Sequence, residues 1–299
     1  MKKICVLSSF ILKVVALITM TFDHVGLLLV NLHPYDESVL ALSNIFRGIG
    51  RLALPLFVFM IVEGVLHTKN FKRYILRLGV MALIISIAFI VAEYSPINSY
   101  AGSLLRAGNI FIDLTLAALT VYLLKQKEIW KKLLTLLPLA FSILSFIVKG
   151  IETQTYIDIH WFPAFLTMQY DWFSIVLAIG FYFSYLLADT YIKATEPTTS
   201  MDKSIWEANG NYRLLANIIS AFMLAVVSFL FFAMKFIWPE GVFWSVDFQL
   251  YAIISGAFIL CYNGKRGYNA KWFQYGSYLY YPLHMIVIVL IFIIVSGGL

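Results

Sequence analysis

Charge is the scarcest ingredient of this sequence. Of its 299 residues only 13% are Asp, Glu, Lys or Arg, while 61% are hydrophobic and 17% aromatic. Soluble domains carry about 25% charged residues, so the composition excludes a water-soluble enzyme and a disordered chain. Cysteine is nearly missing, and Cys5 and Cys261 cannot form a disulfide framework. Also lacking are HExxH, paired CxxC, GxSxG, a Walker loop and a dinucleotide fingerprint. The scattered histidines have no metal-ligand spacing, so no metal is expected. No internal repeat stands out, which counts against an inverted-repeat transporter. The net charge of +6 comes from short basic clusters between apolar runs. That pattern points to a lipid bilayer as partner rather than to nucleic acid.

What the sequence has is apolar length. A helical span takes about 20 residues, and nine apolar runs approach that length: 11–31, 44–66, 74–92, 109–124, 133–148, 172–188, 214–236, 246–262 and 276–295. The expected fold is therefore all-α, a polytopic integral membrane helical bundle of about nine spans forming a single domain over 1–299. A tenth span is counted only if 156–170 (YIDIHWFPAFLTMQY) crosses. That stretch is short and contains Asp158, His160 and Pro163, so it reads as a re-entrant or interfacial segment. The first twenty residues imitate a signal peptide. Lys13 interrupts their apolar core and no small-x-small site follows, so a retained first span is expected.

Charge sets the expected orientation. With the N-terminus in the cytoplasm and 150–170 as an outer segment, the inner loops collect every basic residue except Arg47, Arg51, Arg106, Lys149 and Lys235. Lys2, Lys3 and Lys203 are among those counted inside. The positive-inside rule favours this arrangement in a cytoplasmic (inner) membrane, with the C-terminus outside. Polar residues 189–212 then form a cytoplasmic loop. Both cysteines lie near cytoplasmic ends, where thiols stay reduced.

Ionisable residues at membrane depth each need a reason, because an unpaired charge there costs several kcal/mol. Asp23 and His24 sit mid-span in ITMTFDHVGLL. They read as a proton-accepting site, a metal site or a structural polar plug. Adjacent helical residues point about 100° apart, so Asp23 is expected to pair with a cation from another helix. Arg47 and Arg51 lie four apart in NIFRGIGRLALPLF, and Arg51 is the expected partner; Arg47 reads equally as an interfacial anchor. Gly48 and Gly50 permit close helix approach, and Pro55 is positioned to kink the helix. Glu63 and His67 share a helix face just before the basic run Lys69, Lys72, Arg73 and Arg77. That run reads either as a topology signal or as a phosphate cradle. His284 follows Pro282 and a tyrosine patch, Tyr275, Tyr278, Tyr280 and Tyr281; the patch also fits an interfacial aromatic belt.

Six blocks, in order, carry a resemblance: LKVVALITMTFDHVG, FRGIGRLALPLFVFMIVEGVLHTKNFKRYILRL, NIFIDLTLAAL, QYDWFSIVLAIGFY, CYNGKRGY and YGSYLYYPLHM. Together they resemble the TraX family across most of the chain. The resemblance implies an acetyl-CoA-dependent membrane acetyltransferase, since the family takes its name from a protein that acetylates the N-terminal amine of pilin. The family in turn resembles the acyltransferase-3 group of membrane acyltransferases. That group places a basic residue, ten residues and a histidine in its first span. Lys13 and His24 match this spacing, with Lys in place of the more frequent Arg. Eleven helical rises separate the two by about 16 Å, comparable to a pantetheine arm.

These readings combine into one expectation. Acyl-CoA, with acetyl-CoA as the expected donor, enters from the cytoplasm and its phosphates meet Lys13 with Lys69, Lys72, Arg73, Lys265 or Arg266. A peptide, pilin or envelope-glycan acceptor enters from outside. His24 acts as general base, or carries the acyl group itself. Asp23 and Arg51 hold the geometry, or Arg51 stabilises the oxyanion. Arg47, Glu63, His284 and Tyr281 are candidate acceptor contacts. Two other classes remain open: a proton-coupled transporter or flippase using Asp23 and His24 as a relay, and a non-catalytic assembly protein for a pilus or envelope complex.

Overall fold

The computed structural model describes residues 4–94, 108–155, 159, 161–195, 210–236 and 249–296. The expectations for Arg106, Asp158, His160, Lys2, Lys3 and Lys203, and for residues 196–209 of the polar loop, lie outside the described residues.

Among the described residues the protein is all-helical, with no strand. The helices are α1 (Ser9–Leu32), α2 (Glu37–Gly50), α3 (Ala53–His67), α4 (Phe71–Glu93), α5 (Ile110–Leu124), α6 (Ile129–Leu133), α7 (Leu136–Thr155), α8 (Trp172–Thr195), α9 (Gly210–Ala233), α10 (Ser255–Leu260) and α11 (Lys271–Val295). Among the described residues seven stretches are long and apolar enough to cross a membrane, with Glu37–His67 counted as one; Ile110–Leu124 and Leu250–Leu260 are shorter apolar helices. The protein is a multi-pass membrane protein.

α3 is the hub, packed against α1, α5, α8 and α10. Its sequence ALPLFVFMIVEGVLH is apolar almost all round, which suits a helix surrounded by others. Leu54, Leu56, Val58, Phe59 and Val62 are fully or almost fully buried.

The expected span 44–66 lies within one apolar stretch, Glu37–His67, that is interrupted inside it. The helix ends at Gly50 and restarts at Ala53. Pro55 explains the interruption: it has no N–H for the carbonyl of Arg51, and its ring crowds that carbonyl. Pro55 itself sits in the first turn of α3, where a missing N–H is tolerated.

α1 and α2 approach closely across two glycines. A Cβ on Gly50 would lie 2.2 Å from the Cβ of Asp23, and one on Gly26 would lie 2.8 Å from Cγ of Arg47. Ser43 Oγ ties the pair by donating to the Gly26 carbonyl at 2.7 Å. The start of α1 is held by the loop that precedes α11. The N–H groups of Ser9 and Phe10 donate to the carbonyls of Lys265 and Arg266 at 2.9 and 3.0 Å. Ser8 Oγ accepts from Ile11 N–H at 3.4 Å. Helix N-termini leave their first N–H groups without internal partners, so this loop completes the helix.

Candidate active site

The close α1–α2 approach delivers Asp23 to Arg51. Arg51 Nη2 donates to Asp23 Oδ1 at 2.6 Å, and both residues are buried. Arg51 Nε also donates to the Arg47 carbonyl at 3.4 Å, and its guanidinium lies 5.8 Å from the ring centre of Tyr170. A buried ion pair of this kind is strongly destabilised when one partner is removed.

His24, one residue on, faces α11. Its Nδ1 lies 2.7 Å from Nε2 of His284, and Nδ1 of His284 lies 2.8 Å from the carbonyl of Tyr280. A carbonyl only accepts, so His284 Nδ1 carries the proton there. With neutral rings, His284 Nε2 is then an acceptor and His24 Nδ1 the donor. His24 Nε2 is left with a lone pair. Tyr280 is fixed in turn by Thr21, hydroxyl to hydroxyl at 2.6 Å. Of the tyrosine patch, only Tyr275 is strongly exposed; Tyr281 is buried, edge-on to His24 at 6.0 Å between ring centres. Tyr280 and Tyr281 therefore belong to the surroundings of the two histidines.

Asp23 and His24 line a narrow cavity. Met20, Gly50, Ala53, Leu54, Phe57 and Ile110 form its apolar wall, and Gln169, Tyr170 and Tyr281 join the polar side. Of the four candidate acceptor contacts, only Tyr281 is among the lining residues. His284 lies behind His24, Arg51 is paired with Asp23, and Arg47 packs against Gly26. Glu63 sits ten residues beyond Ala53, about 15 Å further along α3.

Gln169 and Tyr170 belong to the segment expected to be re-entrant or interfacial. Its described part is a short 3-10 turn, Ala164–Leu166, leading to a sharp corner at Asp171. Polar clamps hold it. Asp113 on α5 accepts N–H bonds from Gln169 at 2.7 Å and Tyr170 at 3.0 Å. Lys149 on α7 meets Asp171 at 2.5 Å and the Met168 carbonyl at 2.6 Å. Ser145 Oγ donates to Asp171 at 2.6 Å and accepts from Met168 N–H at 2.9 Å. Gly108, at φ +91°, lets the Met168 carbonyl pass where a Cβ would lie 2.5 Å away.

The other end of α3 holds a second buried cluster. Glu63 Oε1 accepts from Arg213 Nη1 and from the Tyr185 hydroxyl. Its Oε2 accepts from the Tyr262 hydroxyl at 3.3 Å and lies 3.4 Å from His67 Nδ1. Arg213 also packs on Gly264, where a Cβ would come within 2.9 Å of its Nε. Gly264 adopts φ +75°, so the YNGKRGY loop and Glu63 are locked together through Arg213. The expected phosphate contacts surround this end. Lys265 and Arg266 sit on the exposed loop that holds α1, and Lys69, Lys72 and Arg73 are exposed after α3. Lys13 is half-buried, 5.8 Å from the ring centre of Phe273.

The family model for the TraX protein matches residues 8–292, nearly the whole chain. The chain belongs to the TraX family. It is also 33% identical over 120 residues to the probable fimbrial assembly protein FimC, serogroup H1, of Dichelobacter nodosus. That match takes in 38% of this chain and 45% of the relative, so the chain spans less than half the relative's length in the match. No solved structure matches.

For this TraX-family chain, sequence reasoning passed over four residues that shape the site. Asp113 lay inside an apolar run, Gln169 and Tyr170 in an ambiguous segment, and Lys149 in the charge count. Each had one available signal: a polar group at membrane depth without a named partner. Among the described residues there is no group of three or more His, Cys, Asp or Glu that could hold a metal ion.

Proposed function

We propose that this TraX-family protein is an acyltransferase of the cytoplasmic membrane. It moves an acetyl group from cytoplasmic acetyl-CoA to an amine or hydroxyl of a peptide, pilin or envelope-glycan acceptor. The observation that carries this reading is the hydrogen-bond chain Tyr280 carbonyl, His284, His24, which ends in an unprotonated Nε2 on a cavity-lining residue.

The chemistry follows from that lone pair. The acceptor attacks the thioester carbonyl, and a bond from its nitrogen or oxygen to carbon forms. His24 Nε2 takes the acceptor's proton as this happens, the general-base role of a neutral imidazole. The carbon–sulfur bond breaks and the thiolate leaves with the proton returned by His24. Asp23, held by Arg51, sets a negative charge beside the developing imidazolium. The phenols of Tyr170 and Tyr281 on the same wall are the donors available to the oxyanion. Lys13, Lys265 and Arg266, with Lys69, Lys72 and Arg73, supply positive charge for the phosphates of CoA. The apolar wall of Met20, Leu54 and Phe57 keeps water from competing with the acceptor.

The test is label transfer. Purified protein in nanodiscs is incubated with radiolabelled acetyl-CoA and amine peptides, and label on peptide and released CoA are measured. Transfer supports the reading. A second reading, a non-catalytic assembly protein, draws on the name of the fimbrial relative. It predicts no CoA release from folded protein, together with loss of pilus assembly in cells when Gly50 is enlarged.

A further inference from the structure

The cavity beside His24 contains a polar atom that the proposed chemistry has not used. Oε1 of Gln169 is buried and accepts no hydrogen bond within the protein. A buried acceptor left unsatisfied is costly, and native sites keep such groups where something else satisfies them. The backbone beneath this side chain is fixed from both sides. Asp113 holds the Gln169 N–H at 2.7 Å, and Lys149 Nζ reaches its carbonyl at 3.4 Å. Gln169 therefore projects from a fixed base onto the cavity wall it shares with His24 and Asp23.

Two of the residues lining one cavity then carry an open acceptor, His24 at Nε2 and Gln169 at Oε1, the latter enclosed within the wall. A primary amine carries two N–H groups. Attack on the thioester gives one proton to His24 and leaves the other N–H on the nitrogen. A hydroxyl carries a single proton and has nothing left to donate once His24 has taken it. We propose that Gln169 Oε1 accepts the remaining N–H of the attacking amine, making Gln169 a substrate-contacting residue that sets amine over hydroxyl specificity. This assignment rests on the acyltransferase reading. Sites that hydrogen-bond a substrate N–H discriminate strongly against analogues lacking it, because their own polar group is left unpaired. The amide N–H groups of a pantetheine arm offer the same donor chemistry, and the experiment separates the two sources.

The test compares wild type with Gln169→Met, close in shape but without the acceptor, and Gln169→Glu, which keeps one. Two acceptors are used: a peptide with a free N-terminal amine, and its analogue with hydroxyl in place of that amine. Steady-state kcat/KM for each is measured in nanodiscs, alongside equilibrium binding of the amine peptide. Gln169→Met is expected to lower kcat/KM for the amine about tenfold to a hundredfold, to change the hydroxyl analogue little and to weaken amine binding. Gln169→Glu is expected to keep the preference. Unchanged amine preference in folded Gln169→Met overturns the assignment. So does a loss that is equal for both acceptors and appears in KM for acetyl-CoA. Gln169-dependent amine binding without any transfer would sustain the contact while removing the acyltransferase reading, and absence of both would remove both.

Discussion

Two buried charged clusters lie about 15 Å apart along α3, and they are built on opposite plans. At the Glu63 end every carboxylate oxygen is taken: Arg213, Tyr185, Tyr262 and His67 surround it. At the Asp23 end the ion pair is equally tight, but it stands beside a cavity, a histidine whose Nε2 is free to accept, and an amide oxygen with no partner. Burial and charge are common to both. Each also keeps a buried polar atom without a hydrogen bond, Arg213 Nε at the Glu63 end and Gln169 Oε1 at the other. What separates a candidate active site from a structural lock is the cavity that Asp23, His24 and Gln169 line. The Glu63 cluster joins α3, α8, α9 and the YNGKRGY loop; the His24 cluster borders a cavity.

Mutations can break this contrast. His24→Ala has the largest expected effect, a loss of transfer of about 10²- to 10⁴-fold with the folded fraction in size-exclusion chromatography unchanged. Arg51→Met leaves the Asp23 carboxylate buried without its partner. It is expected to destabilise the protein by about 3–5 kcal/mol, and the double change Asp23→Asn with Arg51→Met should recover most of that in detergent melts. Glu63→Gln should fall in the same stability range yet keep the turnover of whatever protein remains folded. Gly50→Ala pushes a methyl onto Asp23. About 1–3 kcal/mol of overpacking cost is expected, together with a clear drop in kcat as Asp23 is displaced. The smallest effect is expected at the basic rim. Lys265→Gln with Arg266→Gln should raise KM for acetyl-CoA several-fold at low salt and progressively less as salt screens the charges. A salt-independent change there would place the phosphates elsewhere.

Much of this architecture was legible in the residues. Hydropathy marked the seven long apolar stretches because lipid demands long apolar helices, while the expected spans 109–124 and 246–262 are shorter helices among the described residues. Asp23 and Arg51 were legible as partners because an unpaired charge at that depth is costly, and Pro55 announced the interruption between α2 and α3. Arg213 was not. It stands at the start of α9, where a basic residue also reads as a topology signal, and only the fold brings it to Glu63. Asp113 was hidden for a different reason. Its partners are the backbone N–H groups of Gln169 and Tyr170, and backbone groups carry no sequence signature. His284 was recognised as out of place, but its position behind His24 rather than in the cavity depends on the packing of α11 against α1. A cavity is a property of several helices at once, so its wall could not be read along one of them.

The most direct measurement sets the two clusters side by side. Acetyl-CoA-dependent CoA release, with an amine peptide as acceptor, is followed for wild type, His24→Ala and Glu63→Gln in nanodiscs, each normalised to folded protein. The account predicts release that is lost in His24→Ala and retained per folded molecule in Glu63→Gln. Release that survives in His24→Ala and disappears in Glu63→Gln would contradict it, and would move the chemistry to the other end of α3.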